Sequence, residues 1–440
     1  MRIINLLLLL LSALLLAVLP TSQEPVGAAD DVSIGIGIGI GGGGGGGGNA
    51  PPGRCPPPPP AGPRPSDFVN VLQYNAYKVI QRFKSTITCD PKNVTRTWTG
   101  PRPCGYTGFR CDTPPGLTDT PTIASVDFNG FGLAAPTLSG FLDGLPDLAI
   151  FHANSNGFAG TVPCLTGLRF LYELDFSNNR LSGRFPYELL PLRNLLFLDV
   201  RYNSLAGAVP PGAFLLGVDV LFLNNNGFSQ PLPANLGASP VKYLTLANNL
   251  FTGPIPPSIC NASNTLIEVL FLNNRLSGCL PYEVGLLRKA TVFDAGSNQI
   301  TGPIPLSFGC LGKVEQLNLA GNLLYGEVPD SVCRLPSLLN LTLSENYFTS
   351  VGASCYGLIK KKTLNIRRNC VPGLPGQRPG WECAQFLAKP KCCPPSTYIP
   401  CALHGPEEAG SRAAGLPEEE ETRTPPSVAY TAIHDPHGKK

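Results

Sequence analysis

One frame recurs along the middle of this chain often enough to dictate its architecture. In residues 171–186 it reads L-x-x-L-x-F-x-x-N-x-L-x-G-x-F-P, with its asparagine at Asn179. The asparagine returns at Asn156, Asn179, Asn203, Asn226, Asn249, Asn274, Asn298, Asn322, Asn346 and Asn369, at spacings of 23, 24, 23, 23, 25, 24, 24, 24 and 23 residues. Ten consecutive matches exclude chance. No unit of this size buries its apolar face alone, so the units must stack.

The frame is that of a leucine-rich repeat. It predicts an α/β-type solenoid of about ten to eleven turns, with short parallel strands on the concave face. The leucine slots point inward. The asparagine closes the turn, and its buried amide must bond main-chain groups of its own and the neighbouring turn, which gives a ladder down the stack. A solenoid also absorbs 49 Gly and 47 Pro, which would be odd in a compact globule. The first turn is degenerate, with Phe131 in the asparagine slot. Several turns carry an L-x-G-x-I-P extension, as at Phe251 to Pro256, Ile300 to Pro305 and Leu324 to Pro329, which adds a second extended segment after the turn and is the plant-specific type.

Around this array the composition shifts mark the other segments. Residues 1–29 read as a secretory signal peptide, with Arg2 followed by an apolar run from Ile3 to Val18, too short for a membrane span. Residues 30–66, with glycine from Gly41 to Gly48 and proline from Pro56 to Pro60, form a leader that cannot build a core. Residues 67–122 read as an N-terminal cap that opens with an amphipathic helix from Asp67 to Ile87. The repeats occupy 123–369, a cysteine-rich closing module 370–393, and a solvated tail 394–440. Fifteen cysteines fit an exported chain. Cys104 and Cys111 are expected to pair, as are Cys310 and Cys333, which fall at nearly the same place in adjacent turns. Cys55, in the leader, has no local partner and leaves room for an interchain bond.

A formal net charge of +3 over 440 residues argues for neither nucleic acid nor an anionic surface. Four histidines, three of them in the tail, supply no triad or zinc constellation, and no cofactor is called for. Asp175 and Asp199, on adjacent strands, imitate a paired-carboxylate site, but nothing in the pattern encloses a substrate, so an enzyme is not expected.

The segment from Asp67 to Cys393 resembles the N-terminal half of the plant leucine-rich-repeat extensins. The resemblance rests on Asp90-Pro91-Lys92-Asn93-Val94-Thr95 with Trp98, on Cys104-Gly105-Tyr106-Thr107-Gly108, on Asn224-Asn225-Asn226, on the run from Gly278 to Leu287, on Val292-Phe293-Asp294, and on Gln377-Arg378 with Cys383. The long Ser-Pro arrays of extensins are missing here, as in extensin-less relatives. Repeat domains of that family bind rapid alkalinization factor peptides, which are small, cationic and disulfide-folded. The resemblance implies such peptides as partners, together with disulfide-linked dimers and action alongside malectin-like receptor kinases in the cell wall. A polygalacturonase-inhibitor-like defence protein is the other reading.

The strand positions flanking the buried slots face the concave side. Glu173, Asp175, Asp199, Glu268 and Asp294, interleaved with Phe197, Tyr202, Phe222 and Tyr243, form a surface suited to a basic peptide, with carboxylates to steer it and aromatics to anchor it. Asn93, Asn261 and Asn340 head glycosylation sequons.

Overall fold

The computed structural model describes residues 62–389 together with Cys393 and Cys401. The expected signal peptide, nearly all of the leader and most of the tail lie outside the described residues.

The chain enters the solenoid through helix α1 (Val71–Thr86). Asn70 caps it, its Oδ1 accepting from the Gln73 N–H at 2.9 Å. The helix buries Ala76, Val79, Ile80 and Phe83 and leaves Val71 in solvent; it starts at Val71 rather than at Asp67, with Phe68 buried ahead of its first turn. The Phe83 ring stacks on Phe141 with centroids 3.9 Å apart. Trp98 is fully buried beside them, and its indole N–H donates to the Thr107 carbonyl at 3.0 Å. This aromatic plug fills the open end of the stack. The sheet edge is closed as well, because Phe109–Asp112 pairs antiparallel with the first inner strand, Thr122–Asp127. A Cys104–Cys111 disulfide ties the cap loop.

From Thr122–Asp127 to Leu364–Asn365 the inner strands run parallel in one continuous sheet, one strand per turn. Leu174, Leu198, Leu221, Leu244, Val269, Phe293, Leu317 and Leu341 occupy the central strand position, and none is more than 1 % exposed. Each contributes about 1.5–3 kcal/mol by leaving water. Behind the asparagine turn, the extension residues form short second strands that pair parallel in two five-stranded outer sheets. These sheets part where Gln230-Pro231 replaces the glycine step of other turns, leaving a single bridge from Pro231 to Thr252.

The asparagine ladder is fully satisfied. Asn298 Oδ1 accepts from the Leu276 N–H of the preceding turn at 2.9 Å, while Nδ2 faces the carbonyls of Phe271, Ala295 and Gly296 at 3.0, 3.2 and 3.0 Å. The same arrangement is found at Asn156 and at Asn369.

The far end is closed by α2 (Cys355–Lys360), by α3 (Gly380–Leu387) and by disulfides. Cys370 bonds Cys383, and Arg378 donates to the Asn346 carbonyl and lies over the Tyr347 ring, which stacks on Phe386. The expected Cys310–Cys333 bond is not formed. Cys333 bonds Cys355 of the next turn, Cys310 bonds Cys401, and Cys279 bonds Cys393. The reason is a phase difference within the turns. Cys333 is the middle residue of its short 3-10 helix and points inward beside fully buried Cys355, whereas Cys310 is the last residue of its own and stays half-exposed.

Candidate functional site

The inner sheet locks two files of side chains in register. One runs Glu173, Phe197, Val220, Tyr243, Glu268, Val292, Gln316 and Asn340; the other runs His152, Asp175, Asp199, Phe222, Thr245, Leu270, Asp294, Asn318 and Thr342. These are the sequence-derived stripes, and neighbouring strands sit about 4.8 Å apart.

The two files differ in availability. In the first, Glu173, Phe197, Tyr243 and Glu268 are half-buried, with their outer parts open to the concave side. In the second, Asp199 is fully buried and Phe222 is 7 % exposed. Both had been expected to face a ligand. The cover is Arg201, two residues beyond Asp199 and therefore on the same strand face. Its guanidinium lies over the Phe222 ring at 5.1 Å, and its Nε stands 2.9 Å from Asp199 Oδ2. The Nε approach makes an ion pair, but its angle leaves Oδ2 without a formed hydrogen bond. Burial, reinforced by the neighbouring Asp175 charge, pushes the Asp199 carboxyl well above the usual range against the pull of Arg201. Asp175 and Asp199 do stand side by side, but Asp199 is sealed, so the pair cannot flank a substrate.

His152 belongs to the same cluster and was not singled out by the sequence. Its Nε2 sits 2.8 Å from Glu173 Oε2. Burial lowers the imidazole pKa, but the Glu173 hydrogen bond and the charges of Glu173, Asp175 and Asp127 outweigh it and hold the pKa above the ordinary value. Farther along, burial and the Glu315 charge raise the Glu268 carboxyl. Burial also raises Asp294, outweighing the bonds it accepts from the Gly296 N–H and Asn318 Nδ2. Asp175 accepts from the N–H and hydroxyl of Ser177 at 2.7 and 2.6 Å, which fixes its carboxylate at the sheet rim.

Tyr202 is 46 % exposed in a left-handed turn position with φ 52°. That position recurs in every full turn, and Asn178, Asn225, Asn248 and Asn273 also occupy it. Asparagine tolerates this backbone and a bulky ring does so less readily. The polar residues of this column form a second, outer ladder missed in the sequence, with Asn273 donating to Asn248 and Asn248 to Asn225 at 2.9 and 3.1 Å. Paired asparagines such as Asn248-Asn249 and Asn273-Asn274 were its signal.

The three sequon asparagines, Asn93, Asn261 and Asn340, are all exposed. Among the described residues no group of three or more metal-ligating side chains comes together, and no helix is long and apolar enough to cross a membrane.

The Leucine Rich Repeat family model matches residues 170–192 and 240–262. Leucine-rich repeat extensin-like protein 6 of Arabidopsis thaliana is 42 % identical over 75 % of this chain and 71 % of its own length. Extensin-like protein 7 of the same plant is 38 % identical over 74 % and 75 %. Against extensin-like protein 2, at 40 % identity, the chain spans only 29 % of the relative's length. Among solved structures, the ectodomain of the plant membrane receptor kinase GASSHO1/SCHENGEN3 from Arabidopsis thaliana, in complex with CASPARIAN STRIP INTEGRITY FACTOR 2, superposes with a TM-score of 0.59 at 25 % identity. That match covers 68 % of this chain and 35 % of the receptor chain. The relatives named here are extensin-like proteins and a receptor ectodomain, not enzymes.

Proposed function

Because the chain belongs to the plant leucine-rich repeat extensin-like proteins, we propose that it is a secreted cell-wall recognition protein whose concave face binds a cationic, cysteine-rich peptide of the rapid alkalinization factor type. One observation carries the reading. Across five consecutive strands the first file presents a carboxylate, an aromatic ring, a second aromatic ring and a carboxylate, in Glu173, Phe197, Tyr243 and Glu268, with Val220 buried between the two rings. The strip extends about 19 Å at 4.8 Å per strand, enough for a folded peptide that seats apolar surface between two basic ends. Asp175 and Tyr202 flank it. Asp199 and Phe222 support the floor from beneath Arg201 rather than touching the ligand. The match to a receptor ectodomain solved with its factor bound supports a recognition role.

Malectin-like receptor kinases are the proposed signalling partners. A homodimer bonded through Cys55 is proposed beside them, and a Cys55→Ser chain should run only as monomer on a non-reducing gel.

Surface kinetics with alkalinization-factor peptides test the site. Charges set encounter, so Glu173→Gln with Glu268→Gln should slow association and flatten its salt dependence. Phe197→Ala or Tyr243→Ala should speed dissociation, at a cost of about 2 kcal/mol if they are hot spots. Unchanged kinetics in all three variants would put the site elsewhere.

A further inference from the structure

At the N-terminal end of the concave face, ionisable side chains gather on neighbouring strands. Asp127, His152, Asp175 and Asp199 stand in register on four adjacent strands, about 4.8 Å from one to the next. Glu173 rises from the same strand as Asp175, two residues earlier and on the same face of the sheet. The carboxylates differ in what restrains them. Asp127 and Asp175 accept from backbone N–H groups of their own turns, those of Asn129 and Ser177. Asp199 accepts from the Arg201 N–H and pairs with its guanidinium. Glu173 is instead held across the strands by the His152 imidazole, with Nε2 and Oε2 2.8 Å apart.

That hold depends on a proton. A bond from imidazolium to a carboxylate is charge-assisted and about twice as strong as one between neutral groups. His152 is buried with Glu173, Asp175 and Asp127 close by, Asp199 one strand farther on, and Arg201 as the opposing cation, already engaged by Asp199. The surroundings therefore favour the charged ring. Glu173 is also the outer carboxylate of the proposed peptide strip, and part of its side chain stays open to solvent. A lysine or arginine of a ligand seated on Glu173 would lie within about 4–6 Å of the imidazolium, and like charges at that range drive off the proton.

We propose that His152 is a positioning residue of the concave site: as imidazolium it holds Glu173 against the sheet, and when a basic side chain of the ligand reaches Glu173 it gives up its proton to solvent. The inference rests on the concave-face reading above and adds proton linkage to it. The free protein carries a proton that the complex lacks, so affinity is lowest where His152 is fully protonated and grows as pH rises through its folded-state pKa. That pKa lies above the ordinary histidine value, which places the gain above about pH 6.5.

Calorimetry of the full-length secreted protein with an alkalinization-factor peptide, in two buffers of unlike ionisation enthalpy at neutral pH, counts the protons released on binding. The parent should release protons, and its affinity should rise at least about threefold between pH 6 and pH 8. His152→Gln keeps a hydrogen-bond donor for Glu173 without a titrating ring, so it should release fewer protons and lose that rise. Glu173→Gln is the second variant, altered at a half-exposed position, and its proton release should fall as well. Equal proton release by the parent and both variants would overturn the proposal. A readout without peptide separates this role from the concave-site reading. In the free protein, carboxylate labelling of Glu173 relative to exposed Glu327 should increase from pH 6 to pH 8 in the parent and stay level in His152→Gln. That labelling pattern without peptide binding would refute the peptide site while supporting the hold of His152 on Glu173. A ratio that stays level in the parent would refute the hold itself.

Discussion

Asn346 is a rung whose replacement has a cost that can be worked out bond by bond. It is fully buried, its Oδ1 accepts from the Leu324 N–H at 3.0 Å, and its Nδ2 faces the carbonyls of Leu319, Leu343 and Ser344 at 2.9, 3.2 and 3.2 Å. Each carbonyl keeps another donor when Asn346 is removed: Asn322 for Leu319, Asn369 for Leu343, and the Gly321 N–H for Ser344. Asn346→Ala therefore orphans one group, the Leu324 N–H, at about 1–3 kcal/mol, with up to another ~1 kcal/mol for the weakened bonds. The expected loss is about 1–4 kcal/mol, read as a drop in urea midpoint by far-ultraviolet circular dichroism with disulfides intact. Asn346→Asp separates this account from simple cavity formation. The carboxyl still accepts from Leu324 but must keep its proton among three carbonyl oxygens, so its folded-state pKa rises. Stability that depends on the protonated form is present at acid pH and is lost as pH rises through the folded-state pKa. The Asp variant should thus weaken steadily from pH 4 to 7, while the Ala variant keeps a constant deficit. An Asp variant as stable as the parent at pH 7, or an Ala loss below about 1 kcal/mol, would refute the ladder reasoning.

Peptide mapping under non-reducing conditions should recover Cys333 with Cys355, Cys310 with Cys401 and Cys279 with Cys393, and a Cys310–Cys333 peptide would contradict the stacking phase described above. Arg201→Ala strips the counter-ion from buried Asp199 and should cost about 3–5 kcal/mol where Asp199 is ionised. Because the folded-state pKa of Asp199 already lies well above its unfolded value, protonation spares the variant at low pH, and its melting temperature should diverge from the parent's as pH rises from 4 to 7. Glycosidase treatment should shift gel mobility, and Asn93→Gln, Asn261→Gln and Asn340→Gln should each remove a step of that shift wherever the exposed sequon is occupied.

The repeat frame made the fold legible because its constraints are periodic. A leucine slot that must be buried, and an amide that must find four partners, leave one way to stack, and the inner-sheet register follows the asparagine count. The concave stripes were legible for the same reason. Exposure within them was not, because it depends on residues outside the stripe. Nothing at Asp199 or Phe222 announces that Arg201, two positions on, will fold back over both. The disulfides failed at a similar scale. Cys310 and Cys333 are equivalent to within one residue of repeat phase, and that one residue turns one thiol outward and the other toward Cys355.

Carboxylate footprinting in the presence and absence of a cationic, disulfide-folded alkalinization-factor peptide tests the central claim most directly. Modification of Glu173, Asp175 and Glu268 should fall on peptide addition, while Glu327 on an outer strand and Asp143 in the cap-proximal turn, both exposed, should react unchanged. Protection at Glu327 or Asp143 with none at Glu173, Asp175 and Glu268 would contradict recognition on the concave face.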